Sequence, residues 1–279
     1  MIDYIVACYV GRRRNSSADP LSYIKNHLNW LESAIGVGNA LFVFNDSPSN
    51  IKKQNEAKKL IEEKGYNHLT KPNFNMSYGA WEYGIYNLVK TSKSNYAFLI
   101  EDDYVPSNRD SLNYFLNEVN HKTGFVASFY QTSNVGGNLR YRFNHAAIAN
   151  GLVSYEAVKK LLNNKVPIFC LSPSDEEYNS WIDEFEDGHN RLIKKIYGSI
   201  AVYDQRHFLH NIEKEGYEMK DVTENNFTLF YSSDPNSEGI HVYGNDKGVC
   251  LIQPNFDFNN KRRWGAKNYQ TKKYGRKAL

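Results

Sequence analysis

Short apolar runs alternate with stretches whose apolar residues recur at helical spacing, and the runs tend to end on small or polar residues. Residues 4–10 are a β-branched run that stops at Gly11, residues 22–35 have helical periodicity, and residues 40–44 are a second apolar run ending at Asn45 and Asp46. This is a βαβ opening. Residues 51–64 predict an amphipathic helix closed by Gly65, and residues 68–69 begin a short third strand before Pro72. Residues 78–89 predict a helix and residues 95–100 a further strand. Strands separated by helices of this length imply an α/β fold, a mostly parallel sheet with helices on both faces, whose ligands gather outside the carboxyl ends of the strands.

One strand end carries the most chemistry. The run Tyr96-Ala-Phe-Leu-Ile100 stops abruptly in three acids, Glu101, Asp102 and Asp103. Adjacent carboxylates repel, so such a cluster is favourable mainly where a cation or a proton is shared among them. Hard oxygen ligands suit Mg²⁺ or Mn²⁺, particularly when substrate phosphates complete the coordination shell. The structural alternative is a helix cap, with Asp102 or Asp103 opening the segment after Pro106.

Composition narrows the class. A chain of 279 residues, 41% hydrophobic, can bury a core as one large domain or two small ones. Its longest apolar runs, residues 5–10 and 40–44, fall far short of the roughly 20 residues that cross a bilayer, so no span is expected. Arg12 to Arg14 follow the first apolar run, the reverse of a secretory signal, and a cytoplasmic location is expected. Cys8, Cys170 and Cys250 lack metal-ligand spacing and read as reduced thiols.

Charge is unevenly divided. Residues 259–279 hold eight basic residues and no acid, so the remainder of this +3 chain carries a net −5. The tail includes Arg262, Arg263, Lys272 and Lys273, interleaved with Trp264, Tyr269 and Tyr274. It reads as a contact for phosphate backbones or anionic head groups, or as a solvated terminus.

Residues 3–245 resemble the GT-A-fold glycosyltransferases that use nucleotide sugars. The likeness rests on a first strand entering a loop at residues 7–14, on Asp46 ending the second strand, on Asn75-Met-Ser-Tyr-Gly-Ala80, and on Glu101-Asp102-Asp103. The family's acidic motif is often Asp-x-Asp or Asp-Asp, and the sequence here fits either x-Asp-Asp or Glu-x-Asp. The resemblance implies a Rossmann-like GT-A domain over residues 1–258, with a nucleotide-binding half to about residue 106, an acceptor-binding half over 107–258, and the basic tail beyond. It also implies a nucleotide site of Ala7, Tyr9, Arg12, Asp46, Asn75, Tyr78 and Asp102, in which Asp46 accepts a uracil-like N–H. The Gly-rich loop of a dinucleotide-binding dehydrogenase is absent after the first strand.

The second half fits the same pattern. Residues 145–153 and the helix after them, 154–162, match the acceptor-side strand and helix, and residues 199–203 form a short strand before Asp204. By the resemblance Asp204 is the first choice for general base, with Asp175 and Glu176 behind it; the alternative for Asp204 is a helix N-cap. His241 is the candidate third metal ligand, beside Glu101, Asp102 and Asp103. The activity implied is metal-dependent sugar transfer from a nucleotide sugar, UDP-sugar favoured, to an acceptor hydroxyl, inverting if a carboxylate base is in place and retaining otherwise. The acceptor is expected to be a glycan or lipid-linked sugar, with peripheral membrane contact through the tail, or a modified base in duplex DNA if the enzyme is phage-encoded. The competing classes are a metal-dependent nucleotidyltransferase or nuclease, and a non-catalytic sugar-binding module.

Overall fold

The computed structural model describes residues 1–11, 19–73, 76–106, 108–127, 130–135, 141–146, 151–166, 168–169, 208, 211–222, 230–232, 243–245 and 248–250. The first strand, β1 (Ile2–Cys8), is buried at every position, which a strand achieves only when both faces of its sheet are covered. It is followed by α1 (Pro20–Leu31), β2 (Val37–Asn45), α2 (Ile51–Glu63), β3 (Asn67–Lys71), α3 (Met76–Leu88) and β4 (Tyr96–Glu101). Each element expected in this half is present, with shifted ends. The helix expected over 22–35 begins earlier because Pro20 fits the first helical turn and Asp19 caps it, its Oδ1 accepting the Leu21 N–H at 3.3 Å. Gly65, at φ +77°, lies in the left-handed region that suits glycine just past the end of α2.

The chain continues through β5 (Tyr104–Pro106), α4 (Ser111–Asn117), β6 (Thr123–Ala127), β7 (Tyr130–Val135), β8 (Tyr141–Ala146), β9 (Gly151–Ser154) and α5 (Tyr155–Asn163). Then come β10 (Glu218–Asp221), β11 (Phe230–Ser232), β12 (Tyr243–Asn245) and β13 (Gly248–Cys250). Seven strands share the main sheet in the order β10-β6-β9-β4-β1-β2-β3. Only the pairings of β9, with β4 and β6, are antiparallel; the other neighbours run parallel. The sheet is therefore mixed but mostly parallel, as expected.

One expectation needs correction. Residues 145–153 are not a single strand: their first part belongs to β8, which pairs with β7 in a separate two-stranded sheet, while β9 lies inside the main sheet. β9 is buried throughout, and Gly151 is what admits it there, since a Cβ at that position would meet the Phe125 ring at 2.1 Å.

Helices cover both faces. Ile24 and Leu28 of α1, Ala57 and Ile61 of α2 and Phe115 of α4 pack with Tyr4, Val6 and Phe98 in one cluster. Trp81 and Ile85 of α3 and Val158 and Leu161 of α5 pack with Ile5, Leu99 and Val153 in the other. Among the described residues no helix is long and apolar enough to cross a membrane. Cys8 is buried, as its place in β1 dictates, and its thiol donates to the Val6 carbonyl at 3.5 Å.

Candidate active site

Strand order locates the crevice. From β1 the chain moves outward to β2 and β3 with α1 and α2 on one face, then returns through α3 on the other face to set β4 against the opposite side of β1. The carboxyl ends of β1 and β4 thus flank a topological switch point, the place where open α/β sheets bind ligands.

The acidic turn stands at that point. β4 pairs with β1 up to Glu101 opposite Ala7, and the ladder is prolonged by the Asp102 N–H, which donates to the Ala7 carbonyl at 3.0 Å. In the reverse direction the Tyr9 N–H donates to Asp102 Oδ2 at 2.8 Å. Asp102 therefore does not cap the helix after Pro106; that helix, α4, follows Asp110, whose side chain makes no capping bond. The strand pleat separates the acids. Glu101 follows Ala97 and Leu99 onto the α3 face, where Ser77 of α3 donates its hydroxyl to Glu101 Oε1 and the Trp81 indole donates to the Ile100 carbonyl at 3.0 Å. Asp103 Oδ1 is sealed from solvent.

A histidine braces the turn from below. His27 of α1 is fully buried, with Nε2 3.1 Å from the Asp102 carbonyl and Nδ1 3.0 Å from the Tyr4 hydroxyl. A carbonyl only accepts, so Nε2 carries the proton and Nδ1 accepts from Tyr4. Burial pushes the His27 pKa down to about 4, against the opposing pull of the Asp102 charge and of the Asp102 and Glu101 carbonyls. The ring is neutral at pH 7. Burial likewise raises the Tyr4 pKa, with the neighbouring Cys8 adding to the shift, which keeps its hydroxyl a donor.

A second polar cluster lies at the ends of β2 and β3. Asp46 donates its N–H to the Lys71 carbonyl at 2.8 Å, and the Gln54 amide reaches Asp46 Oδ1 at 3.4 Å while its Oε1 accepts the Ser47 N–H at 3.0 Å. Lys71 is buried, its ammonium donating to Asn45 Oδ1 at 2.8 Å and to the Pro72 carbonyl at 2.7 Å. Desolvation lowers the Lys71 pKa, opposed by the Glu82 carboxylate; desolvation raises that of Glu82, opposed by hydrogen bonds from the Phe169 N–H and Tyr86 and by Lys71.

Among the sequence-predicted site residues, Ala7, Tyr9, Asp46, Glu101, Asp102 and Asp103 come together on the carboxyl edge of the sheet. Tyr78 sits in α3, its ring edge-on to Trp81 and Phe169, each with centroids 5.4 Å away. Arg12, Asn75, Asp175, Glu176, Asp204, His241, Arg262, Arg263, Lys272 and Lys273 lie outside the described residues. Sequence reasoning missed His27, Lys71 and Ser77. His27 did leave a signal, a polar residue at helical spacing among the buried Tyr23, Ile24, Leu28 and Leu31. Lys71 left none, since the third strand was expected to begin at His68 and Leu69 and its reach to Lys71 was not foreseen.

The residues suit a divalent cation in donor type. Among the described residues no group of three or more His, Cys, Asp or Glu side chains forms a metal cluster. A Mg²⁺ or Mn²⁺ ion completed by substrate phosphates asks only one or two carboxylates of the protein.

No protein-family model matches the sequence. No curated protein matches it either. Solved structures similar in fold include CMP:2-keto-3-deoxy-manno-octonic acid synthetase complexed with CTP, at 9% identity over 79% of this chain and 88% of that one, TM-score 0.43. The mannosyltransferase PcManGT from Pyrobaculum calidifontis, in complex with GDP-Man and Mn²⁺, is 11% identical over 79% of this chain and 54% of its own, TM-score 0.44. S. aureus TarS 1-349 is 12% identical over 84% of this chain and 60% of its own, TM-score 0.43.

Proposed function

We propose that the chain is a metal-dependent glycosyltransferase that takes a sugar from a nucleotide sugar, UDP-sugar favoured, to an acceptor hydroxyl. The observation that carries this reading is the acidic turn at the switch point, tied to the end of β1 through Tyr9 and Asp102. Asp102 and Asp103 are the pair proposed to hold the cation, with Glu101, which accepts from Ser77 on α3, as the alternative ligand. A divalent cation there supplies positive charge to the departing diphosphate, where negative charge grows in the transition state. The protein's share is to hold two carboxylates in fixed geometry and to seat the base near Asp46, with Arg12, Asn75 and Tyr78 as further nucleotide contacts. Asp204 is the proposed base that takes the acceptor proton, with Asp175 and Glu176 as alternatives, and His241 the proposed additional ligand.

Thermal melting with nucleotides tests the reading. UDP with Mn²⁺ should raise the melting temperature by binding linkage, and UDP alone should do so much less. Asp103→Ala should abolish the Mn²⁺-dependent part and sugar transfer while melting as a folded protein. An undiminished Mn²⁺-dependent rise in that variant would remove Asp103 from the site. Stabilisation by CTP or UTP with release of pyrophosphate, and none by UDP-sugar, would replace the proposal with nucleotidyl transfer. For the acceptor, a glycan or lipid-linked sugar is proposed first. Duplex DNA binding that weakens steeply with salt and with removal of residues 259–279 would favour a modified DNA base instead.

A further inference from the structure

We propose that His27 is a positioning residue for the acidic turn: its Nε2–H holds the Asp102 carbonyl, and Tyr4 holds His27 in the tautomer that can do so. The inference rests on the metal-dependent reading above. Its observations are independent of that reading, however. Three fully or almost fully buried groups on three different elements form one chain of contacts, Tyr4 on β1, His27 on α1 and Asp102 after β4. The position on α1 is otherwise suited to an apolar side chain, since Tyr23, Ile24, Leu28 and Leu31 of the same helix are all buried. A leucine there would fill space but leave the Asp102 carbonyl without this donor, and buried acceptors are rarely left so. The His27 ring is further fixed by an edge-on contact with Phe42, centroids 6.3 Å apart.

The result is a turn constrained from three directions. The Ala7 carbonyl holds the Asp102 N–H, the Tyr9 N–H holds the carboxylate, and His27 holds the carbonyl. With both backbone groups of Asp102 fixed, the peptide plane between Asp102 and Asp103 cannot rotate freely, so the backbone that carries the Asp103 side chain keeps one orientation relative to Asp102. Partners behind metal-binding carboxylates commonly set affinity in this way.

The test is binding of UDP with Mn²⁺, and of UDP alone, to the full chain by calorimetry, for wild type, His27→Phe and His27→Gln. His27→Phe should weaken UDP·Mn²⁺ binding about 10- to 100-fold with little change for UDP alone. His27→Gln carries an N–H at similar reach and should recover most of the loss, which a purely space-filling role would not produce. Wild-type affinity for UDP·Mn²⁺ in folded His27→Phe overturns the inference and leaves the functional reading standing. Failure of the wild-type protein to bind UDP·Mn²⁺ overturns both. Should His27→Phe not fold, ¹⁵N NMR of the wild-type imidazole decides: the Nε2–H tautomer is expected, shifting toward a mixture in Tyr4→Phe, and an Nδ1–H tautomer in wild type overturns the inference.

Discussion

Acidification should destabilise this protein through His27. In the unfolded chain the imidazole takes a proton at its ordinary value of 6.5, whereas in the folded protein burial holds it neutral down to about 4. Between those values the unfolded state binds more protons, so folding stability rises with pH across the window. The contribution is fully present above about pH 6.5 and is lost as pH falls toward 4. A gap of about 2.5 pH units at about 1.36 kcal/mol each corresponds to about 3 kcal/mol in total, of which about 2 kcal/mol is gone by pH 5. Urea unfolding of wild type and His27→Gln at pH 7 and pH 5 measures it. Exposed histidines are common to both proteins and cancel in the comparison, so wild type should lose about 2 kcal/mol more than the variant. Equal losses in the two proteins would refute the claim that this imidazole is buried and neutral.

Two further substitutions probe the frame around the site. Tyr155→Phe removes the hydroxyl that donates to Asp3 Oδ2 at 2.7 Å and leaves the buried Asp3 carboxylate with the Asn39 amide at 2.7 Å; stability should fall by about 2 kcal/mol in urea titration, and an unchanged midpoint would contradict the bond. Gly11→Ala places a Cβ 2.2 Å from the tip of the Tyr9 ring, a side chain able to swing aside, so the melting temperature should stay near wild type while UDP binding weakens; undiminished binding would show that the Tyr9 ring does not contribute.

How far the sequence was legible follows from where polarity sits. β1, β2 and β4 were readable because strands buried on both faces are near-continuous apolar runs. β3, Asn67-His-Leu-Thr-Lys71, is an edge strand with one aliphatic residue, and only its middle was discernible. The run at 145–153 misled because continuity of apolar residues does not reveal which sheet each part joins. The positions of Asp46 and Asp102 just past strand ends were legible, since a carboxylate after an apolar strand stands at its mouth. His27 and Lys71 were not, because their meaning depends on partners 75 and 26 residues away that only the fold brings near.

The pleat of β4 explains why three consecutive acids need not act as three equivalent ligands. Side chains alternate along a strand, and Glu101, the last residue of the ladder, is committed to the α3 face by its parity with Ala97 and Leu99. Asp102 is the first residue beyond the ladder, yet its N–H still reaches the Ala7 carbonyl as a strand residue's would. Its carboxylate accepts the amide of Tyr9, the residue that follows the end of β1. The rigidity of the sheet is thereby carried past the last paired residue into the turn, and the position of Asp103 is set by the peptide that follows a residue held at both backbone groups. A carboxylate on an unconstrained loop would have to be ordered by each arriving ligand. Here folding already orders Asp102 and the backbone entering Asp103, which is the pre-organisation that the proposed cation site would require of one or two protein carboxylates.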